Sequence, residues 1–358
     1  MSQTLLVGTR KGLLVYEPEN NGYRRTREAF VGAQTTMAMA DPRTGWWWAC
    51  LNHGHWGVKL HRSRNAGRDW EEVAAPAMPE GAELEPGKPA SVSYLWSMEP
   101  AEGASGNRLY LGTIPGGLFT SDDDGASWQL CQNLWDHPTR SGWFGGGFDQ
   151  PGIHSILLDP ADPQRVAIGI SCAGVFETRD GGRSWATRNK GLSATFLPDP
   201  NVEVGHDPHR VVASAADRRV MWQQNHCGIF RTADGGETWQ ACSSPDGVPH
   251  FGFAIECDAT DPLTAWVVPA TSDEQRVAID RALVVCRTSD GGQTWQQFRQ
   301  GLPQQDCYDF AFRHGLAASG AHLALGTSSG SLYLSDDRGE TWQAVAKDLS
   351  AVYSVRWA

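Results

Sequence analysis

Short apolar segments recur along this chain, each cut off by a polar, glycine-bearing turn. The clearest are Gly117-Leu118-Phe119-Thr120, Gly174-Val175-Phe176-Glu177, Gly228-Ile229-Phe230-Arg231, Leu283-Val284-Val285-Cys286 and Ser331-Leu332-Tyr333-Leu334, with Gly57-Val58-Lys59-Leu60 a weaker member. Their alternation and aromatic content predict half-buried β-strands rather than helices. Each strand runs into a nearly constant series: Ser or Thr, Asp two residues on, Gly two further, Ser or Thr two further, then Trp. Complete copies are Ser121-Asp123-Gly125-Ser127-Trp128, Thr178-Asp180-Gly182-Ser184-Trp185, Thr232-Asp234-Gly236-Thr238-Trp239, Thr288-Asp290-Gly292-Thr294-Trp295 and Ser335-Asp337-Gly339-Thr341-Trp342. A further copy, Ser63-Asn65-Gly67-Asp69-Trp70, is degenerate at two positions. The closing Trp recurs at intervals of roughly 50–60 residues, the period of an array of β-blades.

Each box has the chemistry of a hairpin turn. The carboxylate and hydroxyls accept bonds from nearby backbone N–H groups, Gly supplies a positive φ, and Trp opens the next strand with an indole that packs between sheets. These boxes resemble the Asp-box (BNR) repeats of the sialidase-like β-propellers, including bacterial proteins of the glycosyl hydrolase or exo-α-sialidase-like type. The resemblance covers nearly the whole chain, and it implies that the boxes are structural hairpins on the face away from the active site.

An extra unit without a box lies at the N-terminus. Leu5 to Tyr16 aligns with Leu109 to Thr120 and with Leu323 to Leu334, the second and third strands of a blade. That first blade lacks its innermost strand, and the lone strand Ala351 to Trp357 can fill the vacancy, closing the ring and removing its exposed edge. The expectation is therefore an all-β, seven-bladed propeller, a single domain over residues 1–358.

Composition agrees, with 40 Gly, 20 Pro and 16 Trp serving many turns and much inter-sheet packing. No apolar run is long enough for a membrane span, and the chain enters a strand without a leader pattern. Eight Cys without a CxxC pair or a regular framework suit a reducing compartment, so the expected location is cytoplasmic. The formal charge of −11 argues against nucleic acid as a partner.

In a four-stranded blade the box joins strands three and four. Loops between strands two and three, and crossings between blades, therefore lie on the opposite face. That face holds His53, His55, His137, His154, His206, His209, His226 and His250, out of 11 His in all. Histidines and aromatics gathered on one rim predict a pocket there. Two registers are open around Asp207-Pro208; the one taking His209 to Ser214 as an inner strand gives a hairpin of normal length and sets His209 beside the pore in the layer of His154. Trp46-Trp47-Trp48 reads as inter-blade packing, and Gly142 to Phe148 as a glycine-rich lid with aromatic anchors.

The resemblance to sialidases implies an arginine triad, a Tyr–Glu pair and an Asp acid/base. Their N-terminal Arg-Ile-Pro is missing, since the first strand reads Thr4-Leu5-Leu6-Val7-Gly8-Thr9-Arg10-Lys11. Arg10 can serve as one anion-binding arginine, but no other two are assignable, which argues against sialidase chemistry. The expected function is a hydrolase or lyase acting on a small polar or carbohydrate-like ligand in the central pocket. One divalent transition metal, zinc or manganese, is expected on His154, His206, His209 and His226. Glu203 and Tyr308 are the expected catalytic residues, with Arg10, His53, His55, Trp96, Trp143 and His250 contacting substrate. The alternative is a non-catalytic scaffold with a protein partner, resembling the Asp-box photosystem II assembly factors.

Overall fold

A computed structural model describes residues 4–20, 22–101 and 107–358. Seven four-stranded antiparallel sheets are arranged as propeller blades. Blade 1 runs outward from Val352–Trp357 through Leu5–Thr9 and Gly12–Glu19 to Gly22–Ala29. Val352–Trp357 pairs antiparallel with Leu5–Thr9, so strands from opposite ends of the described chain share a sheet. The inner strands of blades 2 to 7 are Gln34–Ala40, Tyr94–Pro100, Ile153–Leu158, Pro208–Ala213, Gly252–Cys257 and Leu316–Ser319. Of the two registers open near Asp207, the structure adopts the one with His209 inside the strand. Helix is limited to one four-residue α-helix, Gln132–Trp135, and three 3₁₀ turns among the described residues.

The boxes tie their own turns and also join blades. In the copy at 121–128, the Ser121 hydroxyl donates to Asp123 Oδ1 at 2.8 Å and accepts the Gly125 N–H at 2.9 Å. Asp123 then accepts the Ser127 N–H and hydroxyl at 2.9 and 2.6 Å. The Trp128, Trp239 and Trp295 indoles donate to the carbonyls of Ala74, Arg188 and Cys242, each just past the outer strand of the preceding blade. Trp47 and Trp48 point to opposite faces of one strand, as period-2 geometry requires. Trp48 packs with Leu95, Leu109 and Leu111 of blade 3, and Trp47 with Leu6, Leu13 and Val15 of blade 1.

Blades approach so closely near the axis that some positions exclude a side chain. A Cβ on Gly112 would stand 2.5 Å from the Ile153 carbonyl oxygen of the next inner strand, and one on Gly169 would stand 2.8 Å from Val211. This accounts for the Gly shared by the aligned segments at Gly8, Gly112 and Gly326.

The inner strands carry a second regularity. In blades 2 to 6 the register with the second strand skips one residue near the start, leaving Thr36, Trp96, His154, His209 and Phe253 as bulges. Tyr353 is skipped likewise in blade 1. A bulge re-aims its side chain, and six blades do so at one height around the axis.

Candidate functional site

The upper face, where the inner strands begin, has a central cavity of about 170 Å³ lined by Thr36, Tyr94, Trp96, Phe253, Arg313 and Tyr353, among others. Four of the bulged residues are thus in its wall. Phe148, from the glycine-rich segment, packs on Tyr94 and Trp96 at 5.5 and 5.1 Å between ring centroids. Below it, the His314 Nε2–H donates to the His154 carbonyl at 2.7 Å, joining the approach to blade 7 with blade 4 across the axis. His314 also borders a lower cavity that it shares with Glu99, Arg210, Glu256 and Arg356.

Beside the central cavity, a ligand atom each from Asp207, His209 and His226 lie within 4.8 Å of one another, the one such group of His, Cys, Asp or Glu among the described residues. Each member has a local reason to be there. Asp207 is clamped between two turns. The Cys172 N–H of blade 4 donates to its Oδ1 at 3.1 Å, and its own carbonyl accepts the His226 N–H at 2.9 Å. Cys172 adopts a φ of 51° to present that N–H, a conformation of the kind stored at functional sites. Gly146 of the glycine-rich segment covers the clamp, since a Cβ there would meet Cys172 Sγ at 2.6 Å.

His209 is fixed by its two nitrogens. Nδ1 lies 2.6 Å from the Gly252 carbonyl, which only accepts, so Nδ1 carries the proton. Nε2 faces Asp207 Oδ2 at 3.3 Å, and the ring stacks on Phe253 at 4.5 Å. His226, in the turn after Met221–Asn225, sets Nδ1 3.8 Å from Asp207 Oδ2 and Nε2 3.5 Å from Asp273 Oδ2. Asp273 is exposed, on the long connection between Ala265–Pro269 and Val285–Thr288.

Burial holds His209 below the ordinary imidazole range, although Asp207 opposes the shift. Burial also works against the charge on Asp207, yet His209, Arg313 and His226 together hold its carboxyl well below the usual carboxylate range. The cluster therefore presents an ionised carboxylate to the Nε2 edge of a buried imidazole. At 3.3 Å the two groups stand at the separation of atoms that share a proton or a bound cation.

Of the four histidines expected to bind one metal, the structure brings together His209 and His226. His154 is a bulge in the same layer as His209, as expected, but it is fully buried with Nδ1 on Ser155 Oγ at 2.9 Å. His206 pairs in a bridge with Ala173 and donates Nε2–H to the Val202 carbonyl at 2.8 Å. Both stand outside the cluster because their rings are absorbed into the walls of blades 4 and 5. Glu203 is exposed and accepts the Thr187 hydroxyl at 3.1 Å, beside the outer strand of blade 4. Tyr308 is 62 % exposed on the crossing from blade 6 to blade 7, so the two expected catalytic residues lie on different crossings.

Among the expected substrate contacts, Trp96 lines the cavity. Trp143 is buried against Phe176, and His250 bonds Ser243 Oγ at 3.0 Å. Arg10, His53 and His55 are exposed on the rim of blades 1 and 2. Sequence reasoning missed Asp207, Asp273 and Arg313. Asp207 was masked by its Asp-Pro context, which elsewhere marks the end of an inner strand.

The upper rim is also where exposed apolar surface gathers. Val31, Trp56, Phe144, Phe148, Phe196 and Tyr308 lie on its loops, and Leu263 alone of the large exposed hydrophobics among the described residues lies on the lower side.

The BNR/Asp-box repeat family model matches residues 333–344, the last box. A xyloglucanase of a Paenibacillus species is 23% identical over 304 residues, covering 75% of this chain and 27% of that protein. The xyloglucanase Xgh74A of Acetivibrio thermocellus is 24% identical over 220 residues, 54% of this chain and 24% of its own length. The chain thus spans about a quarter of the length of the curated relatives it matches. Among solved structures, an ancestral GH74 enzyme superposes with a TM-score of 0.58 at 17% identity, over 96% of this chain and 39% of that one. YCF48 bound to D1 peptide does so with a TM-score of 0.57 at 14% identity, over 92% and 88%. The structural likenesses, at these identities, establish the fold.

Proposed function

We propose that this Asp-box propeller is a hydrolase acting on a carbohydrate, with its reaction centre at Asp207, His209 and His226 and its sugar-binding surface in the adjoining aromatic cavity. The observation that carries this reading is the convergence of those three side chains within 4.8 Å beside a wall of Trp96, Phe253 and Tyr353. Similarity to xyloglucanases supports a glycan as the substrate class.

Two imidazoles and a carboxylate are a donor set that suits zinc or manganese, and with Nδ1 on Gly252 the His209 Nε2 edge is the one left to face Asp207 and an ion. Asp207, His209 and His226 would hold the ion, which when bound would supply the positive charge that acidifies a water and polarises a glycosidic oxygen. Gly252 fixes the His209 tautomer, the outer-shell role that keeps a ligating imidazole aimed. The Cys172 N–H holds Asp207 in place. Asp273, exposed and 3.5 Å from His226 Nε2, would be the carboxyl at hand for acid or base duty at the cluster's solvent side. Trp96 and the other rings supply flat apolar faces for a pyranose.

The test is elemental analysis of untagged protein together with reducing-end release from xyloglucan and other plant glycans. About one transition metal per chain, and cleavage abolished in Asp207→Asn and His209→Ala, is the expected result. Metal-replete protein that cleaves none of these glycans, or variants of undiminished activity, would overturn it. A scaffold role is the second reading, favoured by the exposed aromatics of the upper rim and by likeness to YCF48; stoichiometric co-purification of a partner protein, without metal, would favour it instead.

A further inference from the structure

We propose that the ligand of the central cavity carries an acidic group, a ring carboxylate or sulfate, and that Arg313 holds it. This rests on the reading of the upper rim as a glycan site. Several other half-buried arginines have carboxylate partners from the protein, and Arg218 and Arg231, which do not, lie toward the lower side of blade 5. Arg356 closes on Glu99 with bonds of 2.8 and 2.5 Å, and Arg165 and Arg188 share Glu177 at 2.7 and 2.8 Å. Arg313 forms no hydrogen bond or ion pair among the described residues, and its buried Nε is unpartnered. It has ring faces instead: its guanidinium carbon lies 5.0 Å from the Trp96 centroid and 5.5 Å from that of Phe253.

A guanidinium half removed from water without an anion is unfavourable, and ring faces offset only part of that cost. The carboxylate whose field reaches Arg313 is Asp207, which is already committed to Cys172 and the two histidines. A second guanidinium converges on the same wall, since Arg276, from the connection that bears Asp273, lies 5.3 Å from the Phe253 centroid. Two cations from different loops over one ring, at the edge of an aromatic cavity, form a receptor for an anion fixed to a flat apolar body. The planar fork of arginine matches carboxylate and sulfate oxygens with paired bonds, and the cavity's size suits a single sugar ring.

The probes are methyl β-D-glucuronide, methyl β-D-glucoside 6-sulfate and neutral methyl β-D-glucoside, which differ only at C6, titrated by saturation-transfer NMR. At least one acidic glycoside is expected to bind about tenfold or more tightly than the neutral one. Arg313→Gln, checked by thermal melting, is expected to abolish the preference. The exposed Arg276→Gln, which carries little folding risk, is expected to reduce it several-fold. Equal binding of all three glycosides, or a preference that survives both substitutions, would overturn the proposal. Binding is read without turnover, so the two readings fail separately. Acidic preference without cleavage of any glycan would end only the hydrolase reading, and cleavage of neutral glycans without acidic preference would end only this one.

Discussion

His209 has one ring nitrogen committed to Gly252 and the other turned toward Asp207, so charge and shape at this point can be varied separately. Asp207→Asn keeps an oxygen for the Cys172 N–H but removes the charge. It is expected to lower bound metal from about one per chain to a small fraction while leaving the melting temperature within a few degrees, by elemental analysis and calorimetry. Two other buried imidazoles set a pH dependence away from the cluster. Burial, first, and the neighbouring Arg313 hold His154 well below the ordinary imidazole range; burial and Arg210 do the same for His314. The unfolded chain binds these protons more readily, so stability is fully present above about pH 6.5 and declines as pH falls below it. Urea unfolding at pH 7.5 and 5.5 is expected to give a lower midpoint at the acid value. His154→Gln is expected to narrow that difference, and an equal midpoint at both values would refute the assignment.

At the scale of the element, the Asp box and the inner-strand bulge differ in how much the sequence discloses. A box is satisfied within its own turn, Ser121 to Asp123 to Ser127, so its residues recur in fixed order and were legible at once, as were the blades they punctuate. A bulge exists only relative to a partner strand. Thr36, Trp96, His154, His209 and Phe253 have no chemistry in common, and their shared place emerged from pairing rather than from composition. Asp207, one residue from a Pro and two from a bulge, was hidden for the same reason. The boxes also titrate as elements. Hydrogen bonds from Ser or Thr hydroxyls and backbone N–H groups hold Asp123, Asp180 and Asp290 down to about 2. A depressed carboxyl contributes stability above its unfolded value near 4, and this is lost as pH falls toward 2. Circular dichroism is expected to show unfolding in that window, shifted upward in Asp180→Asn. Between elements, Gly112→Ala sets a methyl against the Ile153 carbonyl at 2.5 Å and is expected to destabilise by about 1–3 kcal/mol, measured by denaturant unfolding.

For the molecule as a whole, the ring and its closure were read correctly from the sequence, because the first blade visibly lacks an inner strand and a lone strand matches the gap. The function was less legible, because the cluster joins Asp207, His209 and His226 to Asp273 on a connection with no periodic signal. Val352–Trp357 supplies every inner-strand bond of blade 1 and, through Val352 and Val355, part of the apolar core shared with Leu5 and Val7. Deleting residues 352–358 is expected to yield aggregating protein without a cooperative melt, whereas adding the peptide 350–358 in trans restores one. The pairing of Leu5–Thr9 with Val352–Trp357 also has a consequence during synthesis. Translation delivers the two partners far apart in time, so a nascent chain carries its first three strands as an unpaired edge until every other blade has emerged. The ring is a clasp fastened last, and a ribosome stalled before residue 352 presents an open sheet to chaperones, however complete the other six blades are.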